Sequence, residues 1–212
     1  MTTIKYFTFN PFQENTYIIS NQNKECFIID PGCSNALENS VLANYISENG
    51  LKPIMLLNTH CHIDHIMGNK FVADTYGLKL HAHQQEIPVL ERGDDISQMY
   101  GVPYITSPNI DTFLDEKNIL NLGDVIFSII HAPGHSPGSI CFYNEAEKYL
   151  IGGDVLFYNS IGRTDLPLGD HTTLINSIKQ KLFLLPDDVT VYSGHGQKTN
   201  IGFEKKTNPF LQ

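Results

Sequence analysis

Apolar residues along this chain come in short runs cut by polar turns, and the runs change period from one to the next. "IKYFTF", "TYIIS" and "CFIID" are rich in β-branched and aromatic residues and predict three strands, with "NPFQEN" and "NQNKE" as breakers between them. "NALENSVLANYISENG" changes to helical spacing, with Leu37, Val41, Leu42, Tyr45 and Ile46 on one face and Gly50 as its stop. "PIMLLNT" has no alternation and predicts a fully buried strand; "HIMGNKFVADTYG" predicts a helix and "LKLHA" a further strand. Residues 84–115 carry Gly93, Gly101, Pro103 and Pro108 and predict a long excursion that contains a short helix or covers a site. "VIFSIIHAPG", "SICFYN" and "KYLIGGD" then predict strands, "HTTLINSIKQKLFLL" a helix with Leu174, Ile178 and Leu182 in register, and "DVTVYSGHG" a last strand. No linker, low-complexity tract or composition break divides the chain, so the expectation is one layered α/β domain over residues 1–212.

Composition narrows the classes of function. With 41% hydrophobic and 17% charged residues the chain is ordinary for a folded protein, and its length suffices for a sizeable core. A net charge of −9 without any basic run argues against nucleic-acid binding. The N-terminal segment lacks a basic stretch followed by an apolar one, so no signal peptide is expected, and no apolar run approaches membrane-spanning length. Cys26, Cys33, Cys61 and Cys141 form no C-x-x-C pair; four scattered thiols suit a reducing cytoplasm and read as small buried apolar residues.

The chemistry is concentrated in "NTHCHIDHIMGN", where His60, His62, Asp64 and His65 fall within six positions of a chain that has nine histidines. A solvated histidine-rich turn would not sit between flanks as apolar as "PIMLL" and "IMGNKFVA". His135 in "APGHSPG", Asp154 in "IGGDVLF" and His195 in "YSGHGQ" share the same setting: each follows an apolar strand and lies among glycines. Strand ends of a layered α/β protein gather on one edge, so groups distant in sequence can converge there. Five imidazoles and two carboxylates, one of them shared, would serve two divalent ions of about four protein ligands each. Two such ions about 3.5–4 Å apart hold a hydroxide between them and activate it near neutral pH. Their charge outweighs that of the aspartates, so an acidic protein still offers an anionic substrate a positive site. His81 and His83 lack a carboxylate at ligand spacing and read as structural or solvated, His131 before the "APGH" turn reads as hydrogen-bonding or packing, and His171, at a helix start after Asp170, reads as part of a cap. Imidazole and carboxylate ligands accept Zn, the first expectation, or Fe or Mn.

The ordered set "IIDPG", "THCHIDH", "APGHSPGS", "GGDVLF" and "SGHG" resembles the metallo-β-lactamase superfamily over essentially the whole chain. "IGRTDLPLGD" and the closing "NPFLQ" are similar to the short bacterial form of the glyoxalase II-like, or hydroxyacylglutathione hydrolase, group. The resemblance implies a four-layer αββα sandwich with metals at one edge. It implies His60, His62 and His135 on one ion, Asp64, His65 and His195 on the other, Asp154 between them, and Asp30 orienting the cluster by hydrogen bonds without touching metal. It further implies hydrolysis of a small anionic thioester of the S-lactoylglutathione type, with no nucleic-acid or membrane partner. Two departures bear on the substrate: little chain remains after His195 where glyoxalase II has a helical domain, and its substrate lysine is replaced by Arg163, expected to grip a carboxylate. The absence of a cysteine ligand argues against β-lactam hydrolysis. Alternatives on the same motifs are a persulfide dioxygenase with a single iron on His60, His135 and Asp154, a lactone or ester hydrolase on the same metal pair, and a metal-binding module without catalysis.

Overall fold

Neighbouring residues on the central strands are apolar yet belong to different cores. Ile18 and Ile28 face one core while Ile19, Phe27 and Ile29 face another, and Cys141 and Leu150 are separated in the same way from Phe142 and Ile151. A strand with apolar residues on both faces is covered on both, and two such sheets stacked with helices outside give four layers. The computed structural model, which describes all 212 residues, shows that arrangement.

The first half of the chain runs β1 (Thr3–Phe9), β2 (Glu14–Ser20), β3 (Glu25–Ile29), α1 (Ala36–Glu48), β4 (Lys52–Leu57), α2 (Ile63–Ile66), α3 (Asn69–Tyr76) and β5 (Leu80–Ala82). It continues through a 3-10 turn at Gln84–Glu86 to α4 (Ile87–Leu90), α5 (Gly93–Tyr100) and β6 (Ile110–Phe113). Its strands form one six-stranded sheet in chain order, antiparallel across β1, β2 and β3 and parallel from β3 through β6. The second half contributes β7 (Ile119–Leu122), β8 (Val125–His131), β9 (Ile140–Asn144), β10 (Tyr149–Gly153), β11 (Leu156–Phe157), β12 (Ser160–Ile161), α6 (His171–Gln180), β13 (Thr190–Ser193), β14 (Thr199–Asn200) and α7 (Ile201–Thr207). Here the sheet order is β14-β13-β10-β9-β8-β7, with β10 and β13 its parallel pair, and β11 and β12 stand apart as a hairpin. This is the α/β metallo-β-lactamase-type sandwich expected: two mixed sheets flanked by helices.

Three cores separate the layers. Leu42, Ile46 and Val72 pack helices onto the first sheet; Phe27 and Ile29 meet Phe127 and Phe142 between the sheets; Leu174, Ile178 and Leu182 pack α6 and the turn after it onto the second sheet.

Three local expectations need correction. Only Leu42 and Ile46 of the helical stripe are buried in α1, while Leu37 and Val41 face solvent, because only a narrow seam of the helix lies against the sheet. β4 is not buried throughout: Leu56 and Leu57 are, whereas Ile54 is exposed, since β3 flanks the strand along its length but β5 reaches it only at Leu56 and Leu57. The helix expected over "HIMGNKFVADTYG" is two helices, broken at Met67–Gly68, where the Gly68 N–H donates to the Pro31 carbonyl and a Cβ would press on Cys33 and Pro31. At the start of α6 the cap is Asp170, whose carboxylate accepts from the Thr173 N–H, and His171 is the first helical residue.

Candidate metal centre and groove

Asp30 follows β3, the His60–His65 cluster follows β4, His135 lies in the turn after β8, Asp154 follows β10 and His195 follows β13. All five segments leave their strands at the same edge. His60 and His65 are fully buried, His135 and Asp154 nearly so.

The seven groups converge as two clusters that share Asp154. His60, His62 and His135 bring one ring nitrogen each to a common point, with His62 Nδ1 2.8 Å and His60 Nε2 3.2 Å from His135 Nε2. Asp64, His65 and His195 form the second group, with His195 Nε2 3.1 Å and His65 Nε2 3.6 Å from Asp64 Oδ2. Asp154 lies between them: Oδ1 is 3.4 Å from His65 Nε2, and Oδ2 is 3.6 Å from His135 Nε2 and 3.5 Å from His195 Nε2.

Backbone carbonyls set the ring orientations. His135 Nδ1 lies 2.8 Å from the Arg163 carbonyl and His195 Nδ1 3.1 Å from the Gln13 carbonyl. A carbonyl only accepts, so each ring donates from Nδ1 and turns its Nε2 toward the cluster. The Gln13 carbonyl is itself fixed, because the Asn15 N–H donates to the Gly194 carbonyl and the Tyr17 hydroxyl to the Ser193 carbonyl, stitching β2 of the first sheet to the end of β13 in the second. Asp30 is saturated by donors: the Thr59 N–H at 2.7 Å, the Thr59 hydroxyl at 2.6 Å and the Asn58 amide at 3.2 Å, with His65 Nδ1 3.2 Å from Oδ2. It thus holds both the turn that carries His60 and the ring of His65.

The electrostatics sort the groups by role. Burial, reinforced by neighbouring imidazoles, holds His60 well below the usual histidine range and His62 down at about 3, and burial likewise lowers His135. These three rings are neutral lone-pair donors at physiological pH. Burial alone would push Asp154 and Asp64 up, but the adjoining His65 and His195 rings hold both below the usual carboxylate range, Asp154 far below.

The residues fit a pair of cations. Nε2 of His65 and Oδ1 of Asp154, both turned to the clusters, are buried without a hydrogen-bond partner, an arrangement that is expensive unless something else satisfies them. Three imidazole nitrogens pointing at one another call for a positive centre among them. Gly194 and Gly162 line the same space, and a Cβ at Gly194 would overlap Asp154 Oδ1 and crowd the His65 ring. The His/Asp clusters are of the kind that hold a binuclear metal site.

A groove of about 770 Å³ opens onto the clusters. Its walls come from Phe12, from α4 and α5, and from the segment 157–168 after β11. The excursion over residues 84–115 therefore builds one wall of the site. Arg163 lines the groove, its fork laid on Asp165 with Nε to Oδ1 at 2.7 Å and Nη2 to Oδ2 at 2.6 Å.

Other histidines lie elsewhere. His81 Nδ1 approaches the Lys79 and Leu56 carbonyls, and His83 stacks on His131 with ring centroids 4.2 Å apart at a separate cavity of about 350 Å³. Sequence reasoning did not single out Glu86, whose buried carboxylate joins the Cys61 turn to the Ser136–Gly138 turn, or Glu14, buried beside His65 with its Oε1 4.0 Å from the ring. Glu86 had a faint signal, an acid running straight into the apolar "IPVL"; Glu14, in a polar turn, had none.

Comparison with known proteins agrees with this geometry. The sequence model of the metallo-β-lactamase superfamily matches residues 9–195. A hydroxyacylglutathione hydrolase, GloC of Haemophilus influenzae, is 40% identical over 94% of this chain and 93% of its own. Among solved structures, the BLEG-1 B3 metallo-β-lactamase superposes with a TM-score of 0.90 at 40% identity, covering 99% of each chain. TTHA1623, solved in a di-iron-bound form, superposes at 0.88 and 33% identity, covering 98% of this chain and all of that one. With the motifs, the sandwich and the two His/Asp clusters in agreement, the chain belongs to the metallo-β-lactamase superfamily, as a metal-dependent hydrolase.

Proposed function

We propose that the protein hydrolyses small anionic thioesters of the S-lactoylglutathione type, using two divalent ions at the His/Asp clusters. The observation that carries this reading is the make-up of the groove: seven ligand groups converge on it, yet it contains no lysine or glutamate. Such a site suits a leaving group that departs unprotonated. A thiol of pKa about 8.5 leaves as thiolate without help from a strong general acid, whereas an alkoxide or amide nitrogen needs a proton. The likeness to GloC supports the same substrate class.

His60, His62 and His135 would hold one ion, Asp64, His65 and His195 the other, and Asp154 both. When bound, such ions bring the pKa of water to near 7 and polarise a carbonyl. The protein's own groups orient the ligand rings through the Arg163 and Gln13 carbonyls, hold Asp154 ionised between the clusters, and screen the site with apolar walls. Zinc is the first expectation for the metal, with iron or manganese as alternatives on the same donors. Four unpaired, buried cysteines suit a reducing, cytoplasmic setting.

Metal-loaded protein is expected to carry about two transition-metal ions per chain by elemental analysis. It is expected to turn over S-lactoylglutathione far faster than a lactone or a β-lactam. Metal content that never exceeds one ion, or a β-lactam as the preferred substrate, overturns the reading. Arg163 is the proposed contact for the thiol carrier. Arg163→Ala is expected to raise KM about tenfold with little change in kcat, the pattern of lost uniform binding. A lowered melting temperature with unchanged KM would instead make the Arg163–Asp165 pair a brace of its loop.

A further inference from the structure

The groove has two arginines, and only one of them is neutralised. Arg163 is paired by both forks with Asp165, so the loop that carries it adds no net charge. Arg92 precedes α5 on another wall of the same groove and makes no ion pair, although Glu91, Asp94 and Asp95 flank it in sequence. Asp94 is turned to the Thr106 hydroxyl instead. A guanidinium held over a groove without a counter-ion, in a chain of net charge −9, is a receptor for an anion from outside. Next to it the groove exposes apolar side chains: Met99 is 66% exposed, Tyr100 46% and Leu168 54%. Large apolar groups lining a cleft that ends at a reactive centre are covered by ligand when the site is filled.

We infer that Arg92 is a specificity-determining residue that binds an anionic group on the thiol carrier, while Met99, Tyr100 and Leu168 cover an apolar segment between that anion and the reacting carbonyl. The inference rests on the proposed thioester hydrolysis and names its substrate class: an amphiphilic thioester with its negative charge at the end remote from the metals. Arg163 and Arg92 then divide the work, Arg163 giving directed hydrogen bonds from a neutral pair and Arg92 giving charge.

The test uses matched probes, S-acetyl-6-mercaptohexanesulfonate and S-acetyl-6-mercaptohexanol, whose hexyl chain lies between the carbonyl and the terminal group; a sulfonate is a poor metal ligand and reports on the groove alone. The wild-type enzyme is expected to favour the sulfonate in kcat/KM. Arg92→Ala is expected to lower the sulfonate-to-alcohol ratio about tenfold, the worth of one charge-assisted contact. Arg92→Lys should recover much of the ratio and Arg92→Glu should invert it, while Arg163→Ala combined with Asp165→Asn, which removes the neutral pair without uncovering a charge, should change both substrates alike. Binding of the unreactive thioethers, 6-(ethylthio)hexanesulfonate and 6-(ethylthio)hexanol, to metal-loaded protein is measured in parallel by calorimetry. No preference in the wild type, or the same ratio in Arg92→Ala, overturns the inference. Absence of hydrolysis of both thioesters overturns the thioester reading instead, and the thioether pair still decides the role of Arg92.

Discussion

His195→Ala is expected to give a folded protein that keeps about one metal ion per chain and has lost thioester hydrolysis by three orders of magnitude or more. The imidazole is held by the Gln13 carbonyl at the tip of a turn, and its side chain is 27% exposed, so truncation leaves no buried cavity and little loss of stability. Its Nε2 faces Asp64 and Asp154 at 3.1 and 3.5 Å, and without it the second cluster is reduced to Asp64, His65 and the shared Asp154. His60, His62 and His135 remain complete. Chemistry that needs both ions fails when one is lost, whereas removal of a merely orienting residue lowers metal affinity or activity only about 10–100-fold. Elemental analysis, a melting curve, thioester hydrolysis and oxygen uptake on the same preparation separate the cases. Full metal content with surviving oxygen uptake would point to single-iron dioxygenase chemistry and overturn the hydrolase assignment of these ligands.

Glu86→Ala is expected to show the largest effect on stability, about 3–5 kcal/mol, read as a drop of roughly 10 °C in melting temperature. Oε2 accepts from the Cys61 N–H at 2.7 Å, and Oε1 accepts from the Ser136 hydroxyl at 2.6 Å and the Gly138 N–H at 2.7 Å. The residue is fully buried, so water does not replace the lost acceptor. These donors sit in the two turns that carry His60, His62 and His135, and Gly138 is glycine because a Cβ there would press on the Glu86 side chain. Loosening both turns should weaken metal binding as well, by about 10–100-fold. Glu86→Gln keeps one oxygen for two of the three donors but turns an amide toward the third, so an intermediate loss is expected. A melting temperature within a degree or two of wild type for Glu86→Ala would show that the two turns are held by other contacts.

The parts of this molecule that were legible in the sequence are those where one residue type has one physical use. Histidines and aspartates placed among glycines after apolar strands marked the convergent edge. The illegible parts fall into two kinds. β6, β7, β11, β12 and β14 have two to four residues each, too short for any period to show, and α7 is a seven-residue helix of mixed polarity. Leu37 and Val41 sit at the correct helical spacing but outside the seam, because spacing gives the face of a helix and not how wide a strip its sheet covers. The positioning groups were hidden for another reason. Glu86 and the carbonyls of Gln13 and Arg163 act through atoms or distances to which no local pattern corresponds, and Arg92 stands out only once its acidic neighbours are seen to ignore it.

The division of the chain into two successive sheets bears on how the centre is made during synthesis. The first sheet ends at Phe113 and the second begins at Ile119, while His135, Asp154 and His195 all come after that point. A nascent chain that has released its first half displays His60, His62, Asp64 and His65, yet neither cluster has its third member and the shared carboxylate is still unmade. The full ligand set of either proposed ion is therefore assembled only when the two halves have docked. A site that discriminates between ions is thus the joint product of both halves, and among ions that the same donors accept the cell's supply decides.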